Sequence, residues 1–533
     1  MPFRDSVLKL SPFLIVFLAL AFGAAGAQES AAGGQSETSE LRDSIHQMQL
    51  QIQQMQGLMH EMKDEADHYR SETLKLEHEL ELTRQQLSSL QPSAAANPPP
   101  GTETEATQES RSGATAQAPK TEQRIAKLEE DAELMNDKID EQYQTKVESA
   151  SKHRVKLSGI LLMNIFSNKG LVDHLEVPGI ALPATSSTTG ANTGGSFGAT
   201  FRQSELGLEV YGPTFAGAKT QGNFVADFFG EFPETVNGSV SGALRLRTGT
   251  IRLDWPQTSV VAGLDTLFFS PLYPTSFASV GIPALSYSGN LWGWTPQLRV
   301  EHRLISSERS TFTVSGGILD PLTGEAPPNE FLRLPGAGEG SRQPAYAARL
   351  EWGRRVWGQP LTLGTGGYFS RENWGFNRNI SGWAGTTDWT VPFSAHFSLS
   401  GVFYYGNAIG GLGAGIGRSV VFNGPLSDPA TTVHALEAIG GWSQLKFKPG
   451  AKLEFNFAAG QDSVEAGEVR GFTLTPGYFP ANLNRNRSEF ANFIYRPRSN
   501  LLFSTEFRTL RTYAVDRGSD RANQLNLIMG VLF

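Results

Sequence analysis

Residues 525–533 read LNLIMGVLF, and apolar side chains recur there at every second position. Successive side chains of a β-strand point to opposite faces, so one face of this stretch would be wholly apolar. The apolar set is Leu525, Leu527, Met529, Val531 and Phe533. Such a face is unusual at the end of a soluble chain, where residues are mostly frayed and polar. The stretch therefore predicts a strand that meets an apolar environment on one side.

Similar strand-like segments recur from residue 155 onward, each bounded by Gly, Pro, Asn or Asp. Their number is about 16, and bacterial outer-membrane barrels have an even number of strands. The predicted spans are 155–166, 199–211, 218–230, 242–254, 257–268, 291–304, 309–318, 343–353, 360–371, 380–391, 395–407, 433–447, 451–460, 486–496, 500–512 and 522–533.

The connections between these segments alternate in length. Tight turns are predicted at 212–217, 255–257, 305–308, 353–358, 392–394, 449–450 and 497–500, and long connections at 167–198, 269–290, 319–342, 408–432 and 461–485. Short periplasmic turns alternating with long outer loops are typical of membrane barrels, whereas a soluble β-sandwich has shorter strands and no such alternation. The sequence therefore predicts an all-β transmembrane barrel of about 16 antiparallel strands over residues 154–533, preceded by an α-helical coiled coil.

The first 27 residues have the features of a secretory signal peptide. Arg4 and Lys9 provide positive charge, residues 12–22 are mostly apolar, and AGA at 25–27 is typical of a cleavage site. A membrane anchor is the alternative, but the run is shorter than the ~20 residues that a spanning helix needs. The sequence contains no Cys, which excludes disulfides and thiolate metal sites.

A heptad repeat follows the signal peptide over residues 41–90. Its seam is Leu41, Ile45, Met48, Ile52, Met55, Met59, Met62, Ala66, Tyr69, Thr73, Leu76, Leu80, Thr83, Leu87 and Leu90. This pattern predicts a periplasmic coiled coil but leaves two or three strands open. Residues 91–120 are rich in Pro, Ala, Ser and Thr, which predicts a linker, and 121–150 carry a second, shorter coiled coil.

A barrel of this size encloses an aqueous channel, so passage of small solutes is the default function. Residues 154–533 contain 25 Arg and 6 Lys, and Arg pairs well with carboxylate and phosphate groups. The charged residues that alternate with apolar neighbours, and so should line the pore, are Arg252, Arg299, Glu301, Arg303, Arg349, Glu351 and Arg508. We expect an anion-favouring lumen. Alternatively, these Arg residues only pair with wall carboxylates, or they bind lipopolysaccharide at the rim. For Arg245 and Arg247, the alternation does not decide whether the side chains face the lumen or the outside.

The connection at 269–290 follows the fifth predicted strand and contains no charged residue. In general porins of 16 strands, the loop at this place folds inward and narrows the pore. Tyr273, Phe277 and Tyr287 are therefore candidates for a constriction. An ordinary surface loop or a subunit contact is the alternative.

Other signals for chemistry are weak. GGLGAGIG at 410–417 does not match the dinucleotide-binding pattern, the nine His residues lack metal-ligand spacing, and no GxSxG is present. We therefore expect no enzymatic activity, no cofactor, no metal and no nucleic-acid partner. A membrane-embedded lipase is the remaining enzymatic alternative, because its Ser and His need not be adjacent in sequence.

Four segments carry a family resemblance: RQSELGLEVYGP (202–213), GAKTQGNFVADFFG (217–230), LRLRTGTIRLDWPQTSVVAGLDTLFFSP (244–271) and RNRSEFANFIYRP (485–497). They resemble DcaP-like outer-membrane porins and, more distantly, phosphate-selective porins. The resemblance implies a homotrimer with a periplasmic coiled coil and a preference for small anionic solutes. Phe533 resembles the signal that the barrel-assembly machinery reads. The N-terminal part is longer than in the family, which leaves its role open.

These observations predict a porin of the bacterial outer membrane, in contact with membrane lipid and lipopolysaccharide. A structural tether between that membrane and the cell wall is the alternative, since the first helix could extend on the order of 75 Å. Residues 28–40 leave no room for a peptidoglycan-binding module, which favours the porin.

Overall fold

A computed structural model describes residues 154–183, 194–230, 242–306, 310–325 and 333–533. The predicted signal peptide, both coiled coils and the linker lie outside these residues. Within them, no helix is long and apolar enough to cross a membrane.

The described residues form one closed antiparallel sheet of 16 strands. Two consecutive segments count as a single strand, because both lie along the first strand and are separated only by a short break. The strands are β1 Arg154–Lys169, β2 Gly195–Thr200 with Glu205–Tyr211, β3 Lys219–Asp227, β4 Arg245–Asp254, β5 Thr258–Thr266, β6 Trp294–Ser306, β7 Ser310–Leu319, β8 Ala345–Val356, β9 Gln359–Asn373, β10 Asn379–Pro392, β11 Phe397–Asn407, β12 Glu437–Phe447, β13 Leu453–Val464, β14 Leu483–Arg498, β15 Leu501–Ala514 and β16 Gly518–Leu532. Each pairs with its neighbours in sequence, and β16 pairs with β1.

Strand β16 shows the alternation that its sequence predicts. Leu525 and Met529 point outward and are 45% and 50% exposed, whereas Asn526 and Ile528 point inward and are 1% and 4% exposed. An outward apolar face with a mixed inner face is the arrangement of a strand between lipid and a polar lumen. The predicted all-β barrel is therefore confirmed.

The end of the chain completes the closure of the barrel. The backbones of Phe533 and Gly159 on β1 exchange two hydrogen bonds, of 2.9 and 3.1 Å. A Cβ atom at Gly159 would lie 2.7 Å from the Phe533 ring and 2.5 Å from the carbonyl oxygen of Glu205. Glycine at 159 is thus what allows the last residue to seat against β1.

The two ends of the barrel differ in their connections. At the short-turn end, which also holds Arg154 and Phe533, β8 and β9 are joined by Trp357 and Gly358 alone, both with positive φ. The other end, here called the long-connection end, carries most of the long segments. Alternation is not strict, however, because 374–378 and 515–517 are short connections at that same end. Antiparallel neighbours need only a turn to connect, so a long segment is not required for closure.

Some long connections form structure of their own. Two short hairpins pair Leu171–Val172 with Ala181–Leu182 and Val420–Phe422 with Val433–Ala435. Short helical turns occur at Glu339–Ser341, Gly410–Leu412 and Ala466–Val469. Many apolar residues of these connections are fully buried, including Leu285, Leu412 and Ile416. The hydrophobic core of this protein therefore lies inside the barrel.

Candidate solute pathway

The connection between β5 and β6, residues 267–293, crosses the inside of the barrel; we call it the inner loop. Its backbone carbonyls accept hydrogen bonds from side chains on widely separated strands. Asn164 on β1 donates to Phe277 (3.0 Å), Thr386 on β10 to Phe269 (2.7 Å), and Asn492 on β14 to Thr275 (3.0 Å). The loop is thus bound to opposite walls and lies inside the barrel, not on its outer surface.

A break in β2 supplies a further anchor for the inner loop. Gln203 lies in the break and is fully buried. Its Oε1 accepts hydrogen bonds from the backbone N–H groups of Val280 (2.7 Å) and Gly281 (3.0 Å), and its Nε2 donates to the carbonyl of Ala278 (3.2 Å). One side-chain amide therefore binds three backbone groups within residues 278–281 of the inner loop. The sequence pattern does not single out Gln203, because the predicted second strand, 199–211, runs through the break.

The three constriction candidates all belong to the inner loop but face different surroundings. Phe277 lies under the guanidinium of Arg496, with 5.6 Å from Cζ to the ring centroid. Tyr287 packs edge-on against Phe479 at 4.8 Å between centroids. Burial raises the pKa of both Tyr273 and Tyr287, so their hydroxyls stay neutral at physiological pH. The structure thus places all three inside the barrel without gathering them into one ring.

Most of the predicted pore-lining Arg residues are paired with carboxylates. Arg299 lies 2.7 Å from Asp265 and 2.8 Å from Glu301, and only 9% of it is exposed. Arg252 lies 3.0 Å from the same Glu301 and 2.7 Å from Asp254. The charge of each guanidinium is therefore compensated locally. Arg303 lies two residues beyond Glu301, is exposed, and is not part of this network.

The other two predicted Arg residues repeat this pattern. Arg349 lies 2.6 Å from the buried Asp388 and also pairs with Glu351. Arg508 lies 2.7 Å from Glu506 and donates to the hydroxyl of Ser279 in the inner loop. Four of the five predicted Arg residues therefore pair with wall carboxylates. This is the first of the two alternatives to an anion-favouring set of Arg residues.

The facing of Arg245 and Arg247 is decided by a β-bulge. Arg247 is the extra residue where the register between β3 and β4 shifts, so the strict alternation used in sequence analysis fails there. Arg245 lies 2.7 Å from Asp227 and donates to the carbonyl of Gly281 at 2.5 Å. Arg247 pairs with Glu205. Both residues therefore point inward.

One lumenal cluster carries more positive than negative charge. Three cations surround the carboxylate of Glu454. The Nζ atoms of Lys446, on β12, and Lys448, just after it, each lie 3.1 Å from a carboxylate oxygen, and a guanidinium nitrogen of Arg496, on β14, lies 3.7 Å away. Glu454 is almost fully buried, whereas the Lys448 side chain is 51% exposed. We call these four residues the lysine cluster. The lysine cluster was not among the predicted pore-lining residues, although its two Lys residues alternate with apolar neighbours in QLKFKPG.

The lysine cluster touches the inner loop at the short-turn side. The Nζ atom of Lys446 donates to the hydroxyl of Thr275 at 3.0 Å. Gln444, two residues earlier, accepts a hydrogen bond from the backbone N–H of Thr275 at 2.6 Å. A solute that passes the inner loop would therefore meet this net positive charge on the wall.

A second connection also enters the barrel, between β11 and β12. Residues 410–417, the GGLGAGIG segment, include three glycines with positive φ. The following residue, Arg418, is 1% exposed and donates to the backbone carbonyls of Gly415, Pro480, Ala481 and Leu483 at 2.6–3.0 Å. The segment is thus part of the barrel filling, in accordance with its mismatch to nucleotide-binding loops.

A cavity of about 320 Å³ is lined by residues of both inward connections. Its ring-bearing and charged lining residues are Tyr287, Trp292, Trp294, Tyr478, Phe479 and Glu325. Glu325 is the sole charged residue among those that line it. Within the described part of the chain, no three His, Cys, Asp or Glu residues are grouped as metal ligands.

Comparison with known proteins adds evidence on the fold. No protein-family model and no curated protein matches the chain. The outer membrane channel DcaP of Acinetobacter baumannii has a similar structure, with TM-score 0.52 and 16% identity, covering 72% of this chain and 99% of that chain. An anion-selective porin from Comamonas acidovorans matches with TM-score 0.43 and 11% identity over 72% and 100% of the two chains. OprB of Pseudomonas putida matches with TM-score 0.42 and 13% identity over 71% and 94%. The resemblance to DcaP inferred from the sequence is therefore confirmed at the level of the barrel fold.

Proposed function

We propose that the protein is an outer-membrane porin for passive diffusion of small hydrophilic solutes, with a preference for anions. The observation that carries this proposal is the inner loop, an uncharged segment bound across the inside of a closed barrel of 16 strands. A barrel of this size is wide enough for water, and an inward loop narrows it to the dimensions of small solutes.

The polarity of the wall supports a hydrated path. Inward positions of β14 and β15 carry Asn486, Asn492, Glu506 and Arg508, all less than 10% exposed to solvent but linked to one another or to the inner loop. The outward positions of the same strands carry large apolar side chains such as Phe507. Polar groups on the inner wall, beside the apolar residues that fill part of the barrel, and an apolar outer surface are what a membrane pore for hydrophilic solutes requires.

The anion preference would come from the lysine cluster more than from the predicted Arg residues. Four of those Arg residues have at least one carboxylate each, so they add little net field. Lys446, Lys448 and Arg496 share one carboxylate, Glu454, which leaves two positive charges in excess. Wall charges of one sign set the selectivity of a pore.

The proposed assembly is a trimer in the outer membrane. A homotrimer, a periplasmic coiled coil and delivery by the barrel-assembly machinery follow from the sequence resemblance and from Phe533. With the N-terminal region in the periplasm, the short-turn end would face the periplasm and the long connections would face outward.

Single-channel recording in a planar bilayer tests the function. Purified full-length protein under a KCl gradient should give ohmic current that closes in three equal steps, with a reversal potential on the chloride side. A silent bilayer from folded, heat-modifiable protein would refute free diffusion and would favour the tether.

A further inference from the structure

Three arginines form a row across the outer surface of β14, β15 and β16. Arg487 is the direct cross-strand partner of Arg511, and Arg511 is the direct partner of Arg521. Directly opposed side chains on neighbouring antiparallel strands have Cβ atoms roughly 4.5–5.5 Å apart. Like charges at that distance repel, so the row needs an anion to compensate it.

The row points away from the lumen. Its members alternate with inward residues that bind internal segments: Asn486 donates to the carbonyl of Tyr287, and the hydroxyl of Thr512 accepts from the backbone N–H of Ala181. The side chain of Arg487 is 53% exposed, and Arg521 is exposed as well. Arg487 and Arg521 are therefore available to a partner outside the barrel, whereas Arg511 between them is half-buried and donates through Nε to the hydroxyl of Ser519.

The position of the row along the strands places it at the edge of the apolar surface. On β16, the outward residues from Val531 to Leu525 are apolar, Asn523 follows, and Arg521 comes next. Arg521 thus lies roughly 13 Å along the strand beyond Leu525. At that height a membrane barrel passes from acyl chains into headgroups.

Neighbouring residues extend the positive surface. The guanidinium of Arg511 lies 4.9 Å from the Tyr513 ring centroid, and that of Arg485 lies 5.3 Å from the same ring. Lys169, on the adjacent β1, is the outward partner of Asn523. Glu489 lies 3.2 Å from Arg487, and Asp520, which precedes Arg521, pairs with Arg517 at 3.1 Å, so positive charge remains in excess.

We propose that Arg487, Arg511 and Arg521 form a binding site for the phosphate groups of lipopolysaccharide in the outer leaflet. Arg is suited to this task, because its planar fork binds phosphate through two hydrogen bonds. The row lies at the long-connection end, so the choice of leaflet depends on the orientation in the proposed function. Binding itself does not depend on conduction.

The test uses full-length protein in detergent with EDTA, so that divalent cations do not bridge lipid to carboxylates. Binding of purified lipopolysaccharide is compared for the wild type, for Arg487→Gln with Arg521→Gln, and for Arg354→Gln with Arg371→Gln. The last pair removes two outward Arg residues whose cross-strand partners are uncharged. Heat-modifiable migration of each variant confirms that its barrel is folded.

We expect affinity to fall roughly 30-fold in the row variant and to stay unchanged in the control. Dephosphorylated lipopolysaccharide should bind all three proteins equally weakly, and inorganic phosphate should not displace the lipid. Equal binding by the row variant and the wild type would overturn the proposal. Loss of oligomeric state in the row variant, with lipid binding intact, would overturn it too and would assign the row to a contact between copies of the chain.

Discussion

Lys446 and Lys448 share one carboxylate, since their Nζ atoms each lie 3.1 Å from an oxygen of Glu454. Replacing both with Gln removes two lumenal positive charges and leaves Glu454 with Arg496 alone. We expect the reversal potential in a KCl gradient to move toward cations, because the remaining wall field is weaker and less positive. Recording at 0.1 M and 1 M salt should show the difference shrinking, as the Debye length falls from about 10 Å to about 3 Å.

The matched control for the lysine cluster is Arg354→Gln with Arg371→Gln, which changes net charge equally on the outside of the barrel. It should leave the reversal potential where it is. If the lysine variant and this control behave alike, the lysine cluster does not lie on the conducting path.

Arg349 and Asp388 form a buried pair whose loss should affect stability more than selectivity. Arg349→Gln leaves Asp388, only 2% exposed, without its cation. Removing one partner of a buried pair costs about 3–5 kcal/mol of folding free energy. Urea unfolding in lipid vesicles, followed by heat-modifiable migration, should show a clear loss for the single variant.

The double variant Arg349→Gln with Asp388→Asn tests whether the loss of stability comes from the unpaired charge of Asp388. Because it removes both charges, we expect it to recover much of the stability that the single variant loses. A single variant as stable as the wild type would show that water or a proton compensates the Asp388 carboxylate. In that case Arg349 would be free to act on solutes, as the sequence predicted.

Gln203→Ala should loosen the inner loop. The change leaves the backbone N–H groups of Val280 and Gly281 without their acceptor, which costs about 1–3 kcal/mol for each buried group. We expect noisier open-channel current and transient states of larger conductance. Gln461→Ala is the control and should leave the current unchanged, because this exposed side chain on β13 donates to Ser463 and not to the inner loop. Unchanged current in Gln203→Ala would mean that the wall contacts of Phe277 and Thr275 suffice to hold the loop.

Gly159→Val should impair closure of the barrel, because the added side chain would overlap the Phe533 ring and the Glu205 carbonyl. We expect a larger unfolded fraction after refolding into detergent. Gly385→Ala is the control, since its added Cβ would have no atom within 4 Å. Equal folding yields for both variants would show that the contact between β1 and the chain end is dispensable.

The strands were predictable from the sequence because one lipid-facing side imposes a period of two, as Leu525 and Met529 illustrate. The irregular positions were not. Arg247 sits in a bulge and Gln203 in a strand break, and both break the alternation on which the prediction rested. Local structure of this kind is set by the contacts of the inner loop, which lie far away in sequence.

Which charged residues pair with each other could not be predicted from the sequence either. Arg349 and Asp388 lie on different strands, 39 residues apart, and only the barrel register brings them together. Alternation correctly placed Arg299 and Arg508 on the inner face, but it could not say that acidic partners compensate them. For the lysine cluster, the alternation of its two Lys residues with apolar neighbours is visible in the sequence. The excess of positive charge is not, because it depends on which carboxylates lie nearby in the fold.

The N-terminal region offers the sharpest distinction between a porin and a tether. The barrel closes through β1 and β16 without any residue before Arg154. Deleting residues 28–150 and keeping the signal peptide should therefore leave the conductance of each barrel unchanged. Single-channel recording measures this directly, and crosslinking reports whether the oligomer persists.

The same deletion strain tests the tether in cells. A porin predicts normal cell shape and normal attachment of the outer membrane, because solute diffusion needs only the barrel. Membrane blebbing or release of vesicles, with conductance per barrel intact, would show that residues 28–150 fix the membrane to the cell wall. A control strain has the coiled coil restored and the linker 91–120 replaced by a Gly/Ser sequence of equal length. Recovered attachment would assign the contact to the coiled coil, and lost attachment would assign it to the linker sequence.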